Sequence, residues 1–303
     1  MKWRKMGLIF EPNGQYDWLI THSSFPFAMQ LNGDRYRIYF HARDKHNRSQ
    51  PGYIEIDITR PAETLYLSPA PVLKVGNAGL FDDAGILGPW IVDLRGVLYM
   101  YYSGWSRGVS VPYYSAIGLA VSKDQGRTFK KWSIAPIVDR SDVDPYMTIS
   151  GCVMKERSLW RMWYCSAKDF KVESGNPMYY YHIKYAESAD GISWTRRGRV
   201  CIDHEYTGET RIGAPCVIKE GQLYRMWYSY AIDKYRIGYA ESKDGICWVR
   251  KDEEAGIDVS ESGWDSEMVC YPFVFEHKGR KYLLYNGNGY GKSGLGYAVL
   301  ETE

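Results

Sequence analysis

No apolar run in the sequence approaches the roughly 20 residues that a membrane-crossing helix needs. The first residues, Met1-Lys2-Trp3-Arg4-Lys5-Met6-Gly7, carry charge with no apolar segment behind it, so they do not read as a secretory leader. Charge of one sign is lacking too: the formal net charge is only +2. That balance argues against the wide basic field that holds nucleic acid, and against an acidic tail. The six cysteines form no C-x-x-C pair and no set with zinc-ligand spacing. No other metal-ligand cluster appears, and neither metal nor cofactor is expected. The cysteines read as small core residues of a protein in a reducing, cytoplasmic setting without structural disulfides. No G-x-S-x-G and no Ser/His/Asp ordering is present. The Gly-rich run Gly287-Asn288-Gly289-Tyr290-Gly291 has no helix pattern after it and is not a P-loop.

What the sequence does have is one pattern five times over. Its clearest copy is Ile212–Trp248: a strand ending at Glu220-Gly221, an aromatic strand Leu223–Tyr228, and a third strand Tyr235–Glu241 closed by Ser242-Lys243-Asp244-Gly245. Arg161-Met162-Trp163-Tyr164 and Ser188-Ala189-Asp190-Gly191 repeat the layout, as do Leu98–Tyr102 and Ser122-Lys123-Asp124-Gln125-Gly126. Weaker copies begin at Pro26 and Pro272. The anchors Pro26, Pro89, Gly151, Pro215 and Pro272 stand 63, 62, 64 and 57 residues apart. A fixed period with three or four short strands per unit predicts an all-β, five-bladed propeller in a single domain spanning residues 1–303. The run Met6–Phe10, with Trp3, is expected to supply an outer strand that closes the ring against the last blade.

In an up-and-down blade the segment before each anchor and the loop between strands two and three share one rim. That rule gathers Asp82, Asp83, Asp144, Glu209 and Glu267 at one mouth. With them come His22, Arg43, Arg107, His182 and Arg211, the aromatics Trp105, Tyr113 and Tyr290, and Asn288 of the Gly-rich loop. Loops on a rigid scaffold, and the mouths of closed β structures, are where ligands bind. Aromatics make up 16% of the chain, 27 of them Tyr. Such rings offer flat faces to sugars and a polar group at the edge.

The acids occupy similar places: Asp83 and Glu209 six residues before their anchors, Glu267 five, Asp82 and Asp144 seven. Carboxylates converging on one funnel suit glycoside hydrolysis, in which one protonates the leaving oxygen and another activates water. Glu267 and Glu209 are the expected acid/base pair, with Asp83 orienting a hydroxyl or tuning a pKa. Asp residues before strands also make turns, so a structural role stands beside the catalytic one for each acid. Arg211 and Arg107, supported by Arg43, point to an anionic group on the ligand or to neutralisation of those acids.

The five blades and the acids at the inner-strand starts resemble the five-bladed propeller glycosidases of glycoside hydrolase families 43, 32, 68 and 130. The phrases Tyr239–Trp248, Tyr185–Trp194 and Arg-Met-Trp-Tyr resemble uncharacterised glycosidase-like proteins associated with bacterial surface-polysaccharide genes. The resemblance implies a glycoside hydrolase acting by inversion on a sugar or sugar conjugate. In the arabinanase-like families a catalytic Asp precedes the first anchor, where this chain has Phe25. Their general acid lies two residues before the fourth anchor, where it has Gly213. The sucrose-cleaving motifs are absent, so the families' acids do not transfer. Two alternatives use the same funnel: a sugar or sugar-nucleotide binding protein of polysaccharide biosynthesis, and a glycosyl transferase. The expected partner is a carbohydrate or sugar nucleotide, not nucleic acid or membrane.

Overall fold

The structure, a computed structural model, describes residues 1–173 and 176–301. Strand β1 (Trp3–Phe10) comes first. The first repeat unit is β2 (Thr21–Asn32), β3 (Arg35–Arg43), β4 (Ser49–Asp57) and β5 (Thr64–Leu67). The second is β6 (Gly85–Leu94), β7 (Val97–Arg107), β8 (Tyr113–Ser122) and β9 (Lys130–Lys131); the third is β10 (Thr148–Glu156), β11 (Leu159–Glu173), β12 (Asn176–Ser188) and β13 (Thr195–Ile202). The fourth is β14 (Arg211–Glu220), β15 (Leu223–Ala231), β16 (Tyr235–Ser242) and β17 (Val249–Arg250). The last is β18 (Cys270–His277), β19 (Arg280–Asn286) and β20 (Leu295–Leu300). Within each unit neighbouring strands pair antiparallel in chain order. The first two units join into one sheet through a single parallel bridge, Ser49 to Gly85.

The expected outer strand is present. β1 pairs with β20, from Trp3 opposite Leu300 to Phe10 opposite Leu295, and so becomes the outermost strand of the last unit. Trp3 is buried there, edge-on to Trp227 with centroids 6.1 Å apart. The second strands are apolar almost throughout, because neighbouring units cover both faces of each sheet. Met226, Trp227 and Tyr228 of β15 are all fully buried.

The Ser-x-Asp-Gly turns fasten one unit to the next. In each, the Ser hydroxyl donates to the Asp carboxylate and accepts the Gly N–H. The freed Gly carbonyl accepts from the preceding unit's second strand: Tyr39 to Gly126 (2.8 Å), Tyr101 to Gly191 (2.8 Å) and Trp163 to Gly245 (2.7 Å). At Gly126 φ is +79°, and a Cβ would stand 2.1 Å from the Tyr39 hydroxyl, so the recurring glycine is required twice over.

All five anchors line one narrow cavity, with Phe25, Gly88, Trp90, Ala214, Tyr271 and Phe273. In every unit the ladder between strands one and two is interrupted across the anchor, between Ser24 and Phe27, Leu87 and Trp90, Ile149 and Cys152, Gly213 and Cys216, and Cys270 and Phe273. A proline cannot donate to the ladder, which is why it sits at a bulge. The residue before each of the four anchor prolines is left-handed: Phe25 (φ 55°), Gly88 (56°), Ala214 (50°) and Tyr271 (56°). Such backbone is costly outside glycine and clusters at functional sites.

Candidate functional site

The bulges bring the first strands of different units face to face. Phe25 and Tyr271 stack, with centroids 3.7 Å apart and planes 17° apart. Around them stand His41, 5.4 Å from the Phe25 ring, and Tyr235, 5.8 Å from the Tyr271 ring. Tyr290 lies edge-on to Tyr235 at 5.9 Å. The Arg211 guanidinium sits 5.0 Å over the Tyr235 ring and donates to the Tyr290 hydroxyl at 3.3 Å. Its charge reaches Tyr113, which is edge-on to Trp105 at 6.2 Å and exchanges a 2.6 Å hydrogen bond with Tyr181. Burial pushes the Tyr113 hydroxyl up to about 12, so it serves as a neutral hydrogen-bonding group. Every repeat unit thus contributes to one aromatic mouth.

Among the described residues, Arg43, Arg107, Arg211 and Lys292 make no ion pair with a carboxylate. Arg43 donates to Asn47, Arg107 to the His46 carbonyl, and Arg211 to Tyr290 and the Asp233 carbonyl. The Arg211 Nε, the His41 Nδ1 and the Ser23 Oγ are buried without a partner. Burial, with the charges of Arg43 and Lys292, pulls His22 down to about 4, and burial with Arg43 pulls His41 well below its ordinary value. Both imidazoles are neutral at pH 7. Cations without a carboxylate partner, beside orphaned polar atoms, can take an anion, a polar ligand or water.

Three of the five expected acids, Asp82, Asp144 and Glu209, are taken up in ion pairs inside their units. Asp82 is wholly buried, accepting from the Tyr102 hydroxyl and paired with Lys131. Asp144 is equally buried and accepts from Tyr164, Ser166, Lys184 and Arg196. Burial alone would raise its pKa, but these donors outweigh it and hold the carboxyl below its ordinary value. Asp265 repeats the pattern with Tyr285 and Lys5, and Asp252 with Tyr228 and Arg250. Four units therefore bury an Asp that joins the second-strand tyrosine to a cation of the outermost strand. The physical reason is local: the tyrosine hydroxyl reaches the unit's interior and needs an acceptor.

Glu209 belongs to the same system. Its side chain is fully buried, receives Arg250 at 2.7 and 3.0 Å, and accepts the Glu205 and Tyr206 N–H groups. Burial opposes ionisation, but Arg250 and those N–H groups keep the carboxyl below its ordinary value, so it holds no proton to give at pH 7. Asp83 caps a turn by accepting the Gly79 N–H at 2.8 Å. Glu267 alone among the five stays open, its side chain 61% exposed and 3.7 Å from Lys234. The Asn288 side chain secures the loop before β18 by accepting the Glu267 N–H and donating to the Gly263 carbonyl. His182 is buried beside Asp203, 3.6 Å away, and Trp105 donates to Ser49 at 2.8 Å.

Sequence reasoning did not place Phe25 and Tyr271 at the mouth, although the residue before each anchor was a readable position. It also overlooked Tyr235, Tyr181 and His41, whose strand patterns look like ordinary core. The described residues contain no group of three or more His, Cys, Asp or Glu able to hold a metal. No helix among them is long and apolar enough to cross a membrane.

The chain belongs to the same family as two uncharacterised proteins of Mycobacterium tuberculosis, 39% and 38% identical over 302 residues, with both partners of each comparison covered in full. No protein-family model matches it. Among solved structures it is similar to that of the BT0996 RGII complex (TM-score 0.78, 19% identity, 99% of this chain and 92% of the other). It is also similar to a thermostable family-43 glycoside hydrolase (TM-score 0.70, 18% identity, 97% and 94%). A third is from the GH130 family of mannoside phosphorylases, containing hydrolases that target β-1,2 mannosidic linkages in Candida mannan (TM-score 0.72, 16% identity, 99% and 93%). With these glycoside hydrolase structures the chain shares its all-β fold.

Proposed function

We propose that the chain is a five-bladed, single-domain propeller whose central mouth binds a sugar conjugate bearing phosphate or carboxylate. One observation carries this reading: among the described residues, Arg43, Arg211 and Lys292 stand by the aromatic mouth and make no ion pair with a carboxylate. Rings for the sugar and cations for its charge match such a ligand. The glycosidase fold supports the saccharide half of the reading, and a fold alone does not fix the reaction. The paired-carboxylate route asks for two available acids, and Glu209 is committed to Arg250. Recognition of the anionic saccharide is therefore the function proposed.

A second reading, hydrolysis, rests on Glu267, whose carboxylate remains open to solvent. The test is a thermal-shift and calorimetric screen of sugar phosphates, sugar nucleotides and uronic acids, with product analysis on every hit. Stabilisation by anionic but not neutral sugars, lost in Arg211→Gln, is expected. A preference for neutral sugars, or affinity unchanged in Arg211→Gln, would refute it. Product release that stops in Glu267→Gln would establish the hydrolytic reading.

A further inference from the structure

The first strand of the first unit is broken where it reaches the mouth. Thr21 pairs with Arg43 and Ser24 with His41, so His22 and Ser23 of β2 stand against Ala42 alone. The extra residue makes a bulge, and His22 within it is left-handed, with φ 64°. Its buried imidazole shares a 2.8 Å hydrogen bond with the Thr21 hydroxyl and also bonds to the Gly289 backbone. The bulge is tied to the loop that runs on to Lys292. Asn286 donates to the Ser23 carbonyl at 2.7 Å and accepts the Phe25 N–H at 2.9 Å, and the Ser24 hydroxyl donates to the Tyr290 carbonyl. His41 and Arg43, two residues apart on β3, share one face of the sheet.

These ties hold two imidazoles among two cations. The charges of Arg43 and Lys292 act on His22, those of Arg43 and His22 act on His41, and Tyr271 and Tyr290 face Arg43. His41 is the more deeply buried of the pair, so His22 is the readier to take a proton. We infer that His22 is a proton-coupled part of the anion site: when an anion settles beside Arg43 and Lys292, His22 takes up a proton from solvent, and the mouth holds anion and proton together. The inference rests on the reading of the mouth as an anionic-saccharide site. The anion offsets the two cations that oppose imidazolium and adds an attraction of its own. A nearby opposite charge changes proton affinity by roughly ten- to a thousandfold. By reciprocity the proton tightens the anion by the same factor. The sign is fixed: while His22 is neutral with and without ligand, pH has no effect through it, and binding tightens as pH falls through the value at which the liganded imidazole charges.

Calorimetry with UDP-glucose and with glucuronate tests this, since neither probe changes charge between about pH 5 and pH 7.5. Wild type is expected to bind at least one of them about tenfold more tightly at the lower pH than at the higher. Net proton uptake should accompany binding at the lower pH, counted by comparing buffers of different ionisation enthalpy. His22→Asn keeps a residue that tolerates left-handed backbone. In it the two affinities should agree within about twofold and the uptake should vanish. Wild-type binding that is equal at both pH values, or that takes up no proton, overturns the inference and leaves the anion site standing. A pH dependence that survives in His22→Asn does the same. No binding of either probe at either pH overturns both. If His22→Asn fails to fold, NMR titration of the wild-type His22 ring decides: it must charge at higher pH with the probe bound, and an unchanged titration overturns the inference.

Discussion

Arg250 is the residue whose removal should do most damage, and the size of the effect separates scaffold from site. Its side chain is 2% exposed. It donates to Glu209 at 2.7 and 3.0 Å, to Asp252 at 2.6 and 3.1 Å, and to the Asp203 carbonyl at 2.9 Å. Tyr206, Tyr228 and Tyr230 surround the guanidinium. Arg250→Met keeps most of the volume and leaves two buried carboxylates facing each other without their cation. Removing one partner of a buried pair costs about 3–5 kcal/mol, and in a chain of this size each kcal/mol moves Tm by roughly 2–4 °C. A fall of about 10 °C is expected by calorimetry. Adding Glu209→Gln to Arg250→Met should restore part of it, because one stranded charge is gone. Glu209→Gln alone should lower Tm and leave ligand affinity within about twofold. The reasoning fails if Arg250→Met melts within about 2 °C of wild type, or if Glu209→Gln abolishes activity or binding at unchanged Tm.

The mouth cations should behave oppositely: Arg211→Gln and Arg43→Gln are expected to weaken an anionic ligand tenfold or more while Tm holds or rises, and a Tm loss like that of Arg250→Met would mark them as scaffold. Stability should also fall between about pH 6.5 and pH 4. His22 takes a proton at about 4 in the folded chain but near 6.5 when unfolded, and His41 is depressed likewise, so the unfolded state binds more protons in that window. Chemical denaturation across pH checks this, and His22→Asn should flatten the slope. Of the six thiols only Cys247 is exposed; a disulfide-exchange reagent should titrate one thiol in the native protein and six after denaturation, and more than one fast thiol would contradict that burial.

The period and the turns were legible in the sequence because they answer to backbone geometry. Ser-x-Asp-Gly recurs since a hydroxyl, a carboxylate and a left-handed glycine are all needed to present one carbonyl to the neighbouring unit's Tyr39, Tyr101 or Trp163. The outer strand at Trp3–Phe10 was legible for a related reason: the last sheet leaves an edge that the chain must cover. The mouth was legible only in part. Strand direction gathered Arg43, Arg211, Trp105, Tyr113 and Tyr290 on one rim, where their contacts also bring them together, since rim is a matter of topology.

Which side chain turns toward the axis and which toward the interior of its own unit is not a matter of topology. It depends on partners distant in the sequence. Asp82 and Asp144 sit just before their anchors, as a catalytic acid would, yet Tyr102 and Tyr164, twenty residues on, each need an acceptor. Lys131 and Arg196 come from outer strands farther still. Asp82, Asp144 and Glu209 are taken up by inner cations, and among the described residues Arg43 and Arg211 make no ion pair with a carboxylate. The near-zero net charge therefore conceals a separation: paired charges inside the units, unpaired positive charge at the mouth. A balanced composition gave no sign of that separation.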